Sequence, residues 1–200
     1  EIYTSIDTLS LHDALPISGP VHPRPTRKAP RPEIVPRTAW LGEDTRHGQP
    51  PPRYDDRVVA VFVHHTDSPN GYDCADAPRI IRYLYAGQTG SRDWDDIGYN
   101  FLVDKYGQIF EGRWGGVDRN VVGAHAQGFN QGSVGVALIG SYDSTSITPA
   151  ARSALVRLLA WRLDVAHVDP LSTFSWRSTG NPKYPAGRTI TLRTISGHRD

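Results

Sequence analysis

The 200-residue sequence contains no methionine and only one cysteine, Cys74. A single cysteine excludes an intramolecular disulfide framework and any metal site built from several cysteines within these residues. No stretch approaches the roughly 18 consecutive apolar residues that a membrane-spanning helix needs, so we expect no membrane span. Because methionine is absent even at position 1, we expect the chain to begin inside its gene.

The sequence also lacks a strong excess of either positive or negative residues, because 22 Lys and Arg residues are balanced by 21 Asp and Glu residues. Nucleic-acid-binding domains normally carry a clear basic excess, so we expect no nucleic-acid partner. The same balance argues against a polybasic membrane-surface protein. With 5 Trp, 9 Tyr and 5 Phe, the chain is not wholly disordered and has enough apolar residues for one core. We expect a monomer.

Proline divides the chain unevenly, since ten of the 16 prolines occur at or before Pro52. Residues 1–18 lack the basic start and continuous apolar stretch of a secretory signal, and we interpret them as a non-native or disordered leader. Residues 19–33 are rich in Pro and Arg, which favours an extended linker. Regular patterning begins near Ile34, so we predict one domain over residues 34–200.

The domain alternates strand and helix patterns. Residues 57–64 (RVVAVFVH) form an apolar run typical of a buried strand, and residues 76–88 have helical spacing after a capping Asp. Further predicted elements are a hairpin of GYNFLVD and QIFEG, a strand at SVGVALI, a helix from Thr148 to about His167, and a strand at RTITLRTIS. This order predicts an α/β fold, a single domain with a central mixed β-sheet flanked by helices.

Four histidines, His64, His65, His125 and His198, occur where a strand gives way to a loop, and sites tend to gather at the ends of strands in open α/β sheets. His64 and His65 end the first strand and should point to opposite faces, while His198 follows the last. Imidazole is a common zinc ligand. Ordinary hydrogen-bonded histidines at strand ends are an equally good interpretation of these motifs alone.

Other polar residues have both a functional and a structural interpretation. Tyr99 could donate to a developing oxyanion or simply pack its ring in the core. His125 lies among small residues that would let a substrate approach, with Asn130 five residues on, or it could occupy a tight loop. Arg113 could pair with a ligand carboxylate, or remain solvated.

Four motifs in order, VFVHHTDSP, WDDIGYNFLVDKYGQIFEGR, VVGAHAQGFNQGSVGVALIG and TISGHRD, resemble the peptidoglycan recognition protein domain. That family overlaps the zinc-dependent N-acetylmuramoyl-L-alanine amidases, and the resemblance covers about residues 34–200. The stretch STGNPKYPAG is most similar to bacterial, actinobacterial-type members. The resemblance implies a secreted or cell-wall-associated hydrolase that binds peptidoglycan and cleaves the amide between N-acetylmuramic acid and L-alanine.

Transferred onto this sequence, the family pattern implies a Zn²⁺ ion bound by His64 and His198, with Tyr99 assisting catalysis. It also implies a substrate groove that includes His65, Thr66, Trp94, Arg113, His125 and Asn130. The family's third zinc ligand follows the second histidine by about eight residues, so we expect it beyond Asp200 and expect this chain alone to bind zinc poorly.

Two other functions remain open. Family members that lack the third ligand bind cell-wall fragments without cutting them, so a non-catalytic recognition module is the main alternative. A structural or adhesive role would rest on the Pro- and Arg-rich segment alone and would leave the histidines unexplained.

Overall fold

The computed structural model describes residues 28–42, 49–92 and 94–197. The elements in these ranges are helices α1 (Arg37–Leu41), α2 (Ala77–Ala86) and α3 (Pro149–Ala166), and strands β1 (Ala60–His65), β2 (Phe101–Val103), β3 (Ile109–Glu111), β4 (Ser133–Leu138), β5 (Thr173–Arg177), β6 (Thr189–Arg193) and β7 (Ile195–Gly197). A short 3₁₀ turn (Cys74–Asp76) leads into α2, and a π turn (Gly87–Ser91) follows it.

Five strands form the central sheet in the order β3-β2-β4-β1-β7. The β2–β3 hairpin is antiparallel, whereas β2, β4, β1 and β7 run parallel to their neighbours. Strands β5 and β6 form a separate antiparallel pair. The predicted mixed sheet flanked by helices is therefore confirmed.

Helix α3 covers one face of the sheet. Alternation along the strands sends Val61, Val134, Val136 and Phe101 to this face, where they meet Leu158 and other apolar residues of α3. The helix begins at Pro149, and the Thr148 hydroxyl oxygen accepts a hydrogen bond from the Ala151 N–H at 3.1 Å. The sequence predicted this cap because Thr followed by Pro suits the first turn of a helix.

The opposite face is covered in two parts. Helices α1 and α2 pack on the β2–β3 side, where Leu102 is completely buried. The β5–β6 hairpin packs on the β1 side against Ala60 and Phe62. His64 follows Phe62 on this face, and its sheet row continues through Ala137 to Leu102. The strand end with His64 therefore lies where the two coverings meet.

The structure differs from the sequence-based elements near the end of the chain. The predicted strand RTITLRTIS is two strands, β6 and β7, in two different sheets. Thr194 separates them: it is completely buried, and its hydroxyl lies 2.8 Å from that of Ser172. Strand β5 and the short helix α1 had no counterpart in the sequence analysis.

Part of the Pro- and Arg-rich segment lies against the domain. The Ala29 N–H donates to the Asp164 carboxylate of α3, and the Arg31 guanidinium lies over the Trp161 ring. Val35 bridges to Phe110 at the edge of the sheet. The leader, residues 1–18, lies outside the described residues. Among the residues that the structure describes, no helix combines the length and apolar character needed to cross a bilayer.

Candidate functional site

His64 occupies the carboxyl end of β1 and is 5% exposed. Its strand is apolar on both faces because a parallel sheet is covered on both sides. Beside it lies Tyr99, with 5.4 Å between the two ring centroids. The structure thus brings together two of the three residues that the family resemblance assigned to catalysis and metal binding.

A second histidine contacts His64 directly. The Nε2 atom of His64 lies 3.1 Å from Nδ1 of His125, and both rings are buried. On its other side, Nε2 of His125 lies 3.4 Å from the Ser133 hydroxyl oxygen. The sequence analysis assigned His125 to the substrate groove, whereas the structure buries it between His64 and the start of β4.

Two glycines make room for the His125 ring. A Cβ atom on Gly135 would lie 2.3 Å from Cγ of His125, and one on Gly123 would lie 2.6 Å from its Cδ2. The backbone N–H groups of His125 and Ala126 both donate to the Asn130 side-chain oxygen, each at 2.8 Å. The loop and the sheet therefore hold this ring in one position.

The close approach at Gly135 gives a stability prediction. Gly135→Ala is expected to lower the free energy of unfolding by about 1–3 kcal/mol, because the added methyl overlaps a buried ring. Urea unfolding followed by circular dichroism measures the change. Gly71→Ala is the matched control, since its Cβ would meet nothing within 4 Å. Equal unfolding midpoints for the two variants would contradict this account of the ring's surroundings.

His65 points away from His64 and joins β1 to the loop after β4. Its Nδ1 atom accepts the Tyr142 N–H at 2.9 Å, and its Nε2 lies 3.7 Å from the Asp143 carboxylate. Potential metal-ligating atoms of His65, Asp67 and Asp143 all lie within 4.8 Å of one another. However, a neutral imidazole that accepts at Nδ1 carries its proton on Nε2 and has no lone pair there for a metal. This arrangement suits a histidine that donates to carboxylates.

The other predicted groove residues have structural partners. The Thr66 hydroxyl oxygen accepts the Gly140 N–H at 3.0 Å, which ties the end of β1 to the end of β4. Arg113 is largely buried and donates to the Ile97 carbonyl at 3.3 Å. Burial lowers the pKa of the Arg113 guanidinium, and nearby carboxylates partly offset this. Trp94 is half-buried beneath the Arg92 guanidinium.

His198 lies outside the described residues, but its sequence neighbours are placed. Gly197, the last described residue, pairs in register with Val63 in the parallel β1–β7 pair. Val63 precedes His64 and Gly197 precedes His198 in the sequence. The β1–β7 pairing therefore ends at the residues that precede the two histidines in the sequence.

His64 has the chemistry and surroundings of a zinc ligand. A buried imidazole such as His64 is a suitable zinc ligand, and its second nitrogen has a fixed hydrogen-bond partner, which metal-binding histidines usually have. In the described ranges His64 supplies one ligand of the implied set. His64 therefore fits a zinc ion.

Sequence reasoning missed Ser133 and Asn100. The buried Asn100 side chain accepts the Gly135 N–H and donates to the Val121 carbonyl, both at 2.8 Å, and so joins β4 to the loop before His125. Neither residue has a sequence signal, because the contact of Ser133 with His125 spans eight positions and the contacts of Asn100 with Gly135 and Val121 span 35 and 21.

Residues 54–200 match the profile of the N-acetylmuramoyl-L-alanine amidase family, Amidase_2. The chain belongs to this family. Members of this amidase family typically depend on zinc. The chain is also similar to curated peptidoglycan recognition proteins, which supports the resemblance read from its motifs.

Two of these relatives are peptidoglycan-recognition protein LE of Drosophila melanogaster and peptidoglycan recognition protein 3 of Homo sapiens. The first is 33% identical over 136 residues, 68% of this chain and 37% of the relative. The second is 33% identical over 115 residues, 56% of this chain and 32% of the relative. The chain therefore spans about a third of the length of these two relatives.

Solved structures show the same fold. Peptidoglycan recognition protein-LE, in complex with tracheal cytotoxin, matches at a TM-score of 0.59 and 29% identity, covering 82% of this chain and 81% of that one. Drosophila PGRP-LB matches at a TM-score of 0.59 and 25% identity, covering 84% and 82%.

Proposed function

We propose that this member of the amidase family is a zinc-dependent peptidoglycan hydrolase that cleaves the amide between N-acetylmuramic acid and L-alanine. The observation that carries the proposal is the buried His64 at a strand end, in contact with Tyr99 and adjacent in register to the strand that leads to His198. His64 and His198 would hold the ion, which supplies a water of lowered pKa for attack on a carbonyl.

Other residues of the chain would stabilise the developing charge and bind the substrate. Tyr99 would donate its hydroxyl to the oxygen of the scissile carbonyl, where negative charge develops. The groove would include His65, Thr66, Trp94, Arg113, His125 and Asn130, with the buried His125 ring beneath its surface, behind His64. Thr66 and Asn130 would act by shaping the groove, since their oxygens already accept backbone N–H groups. Peptidoglycan as substrate agrees with the near-zero net charge. It would place the protein outside the cell, secreted or associated with the cell wall.

The second candidate is a recognition module that binds peptidoglycan without cleaving it. The relatives favour it, because those above are named recognition proteins, and the solved structure of recognition protein-LE holds tracheal cytotoxin, a monomeric diaminopimelic acid-type peptidoglycan.

Digestion of purified peptidoglycan separates the two candidates. The protein as its natural gene encodes it, loaded with zinc, is incubated with muropeptides, and the products are analysed by mass spectrometry. Release of intact stem peptides with a free L-alanine amino group is expected, and this release should stop when a chelator removes the metal. Binding to peptidoglycan without any release would reject the hydrolase and support the recognition module.

A further inference from the structure

The Ser133 hydroxyl donates its proton to backbone carbonyl oxygens. Its oxygen lies 2.6 Å from the Phe129 carbonyl oxygen and 3.1 Å from the Asn130 carbonyl oxygen. Both carbonyls only accept, so the single hydroxyl proton points to them. Toward His125 the Ser133 oxygen can therefore only accept, and Nε2 of a neutral His125 ring carries the proton in their 3.4 Å contact.

The position of the proton on His125 determines its position on His64, because the two rings are in contact. A neutral His125 ring with its proton on Nε2 has a lone pair on Nδ1. That Nδ1 lies 3.1 Å from Nε2 of His64, so the proton between the two rings belongs to Nε2 of His64. The Nδ1 atom of His64 then keeps its own lone pair.

We infer that His125 and Ser133 fix the tautomer of His64 and thereby select Nδ1 as the atom with which His64 binds a metal. A ligating imidazole binds through its unprotonated nitrogen, and the partner of the other nitrogen decides which one that is. The inference deepens the proposed function and rests on it for the identity of the metal. His125 is thus a positioning residue that acts through His64.

The packing agrees with this role. The His125 ring needs the empty space at Gly123 and Gly135, and its backbone is held by the Asn130 side chain. The ring also lies 6.1 Å from the Phe62 ring, centroid to centroid. A ring held this firmly presents its nitrogens in one direction, which a tautomer-selecting contact requires.

Nuclear magnetic resonance of the metal-free, ¹⁵N-labelled chain tests the proton's location. We expect a proton bonded to Nε2 of His64 that also couples across the hydrogen bond to Nδ1 of His125. Loss of the signal in His64→Gln assigns it. In His125→Leu the coupling should vanish, and in Ser133→Ala it should weaken. A proton bonded to Nδ1 of His125 in the unsubstituted chain would overturn the inference.

The zinc affinity of the protein as its natural gene encodes it, measured by chelator competition, provides a second readout. His125→Leu is expected to weaken zinc binding by about 10–100-fold, the usual effect of losing the partner of a metal-binding histidine. His125→Gln should retain most of the affinity, because its amide oxygen can accept from Nε2 of His64. His167→Asn is the matched control, since His167 lies exposed at the end of α3.

The two readouts separate the inference from the proposed function. Equal zinc affinities for the protein as its natural gene encodes it and for its His125→Leu variant would overturn the positioning role. A protein that binds no zinc at all would reject the proposed function, while the resonance experiment would still decide which ring nitrogen carries the proton.

Discussion

Replacing His64 with alanine is expected to lower kcat/KM for hydrolysis of the muramyl amide by at least about 10³-fold. A metal ion contributes several kcal/mol to such a reaction, and about 4 kcal/mol corresponds to three orders of magnitude. His64 is the one proposed ligand in the described residues, so its loss removes an anchor of the ion. The zinc content of the purified protein should fall together with the rate.

The matched control for this substitution is His167→Asn. His167 caps α3 in a left-handed conformation that Asn tolerates, and it is exposed to solvent. Its rate and zinc content should equal those of the unsubstituted protein. His64→Ala also removes the contact with His125, so circular dichroism must show that the variant stays folded. A folded, zinc-free His64→Ala protein with full activity would exclude the proposed metal chemistry.

Tyr99, the proposed hydrogen-bond donor to the oxyanion, gives a weaker effect with a different signature. Tyr99→Phe is expected to lower kcat by about 10²–10³-fold, the usual effect of losing one oxyanion donor, and to leave zinc content unchanged. Phe keeps the ring that packs beside His64. An unchanged kcat would show that the tyrosine hydroxyl takes no part in the reaction.

Local patterns predicted the elements with strong internal signals. The helix at residues 76–88 appears as α2, and Thr148 caps α3, because capping and helical spacing depend on near neighbours. The division of RTITLRTIS at Thr194 could not be predicted, since it depends on the contact with Ser172, 22 positions away. A five-residue helix such as α1 has too few turns to produce a periodic signal.

The site was predicted in a different way. The spacing of His64 and Tyr99 in the sequence did not predict that they lie together. The family motifs predicted that they share a site. The contact of His64 with His125 spans 61 positions in the sequence. Ser133 is the first residue of an apolar strand, and nothing in its sequence neighbours marks it as a contact of His125. Such contacts follow from the strand order of the sheet, which the sequence pattern did not specify.

The second large effect concerns a buried ion pair on the α1–α2 side of the sheet. Arg37 is 3% exposed, and its Nη2 lies 2.7 Å from the Asp96 carboxylate. Its Nη1 donates to the Gly112 carbonyl at 2.5 Å, and its guanidinium lies over the Trp40 ring at 4.8 Å. The pair therefore fixes α1 to the loop before β2 and to the end of β3.

The buried charge of Asp96 is compensated by Arg37. Its carboxylate also accepts the N–H groups of Ile97 at 2.6 Å and Trp114 at 2.8 Å, so it is held in place when Arg37 is removed. Arg37→Met keeps most of the apolar contact with Trp40 but removes the counter-ion to which the buried Asp96 carboxylate is hydrogen-bonded, leaving it only the attraction of the nearby Arg113 guanidinium. We expect the free energy of unfolding to fall by about 3–5 kcal/mol.

Urea unfolding of Arg37→Met, Asp96→Asn and the double variant measures both the loss and the coupling between the two residues. The double variant should be less destabilised than the sum of the single variants, because removing both charges leaves neither unpaired. Arg79→Ala is the control, since Arg79 pairs with Asp76 at 2.9 Å on the surface, and solvent screens such pairs. Its unfolding midpoint should not change. Additive effects of Arg37→Met and Asp96→Asn would mean that the two side chains stabilise the fold independently and that their ion pair contributes nothing.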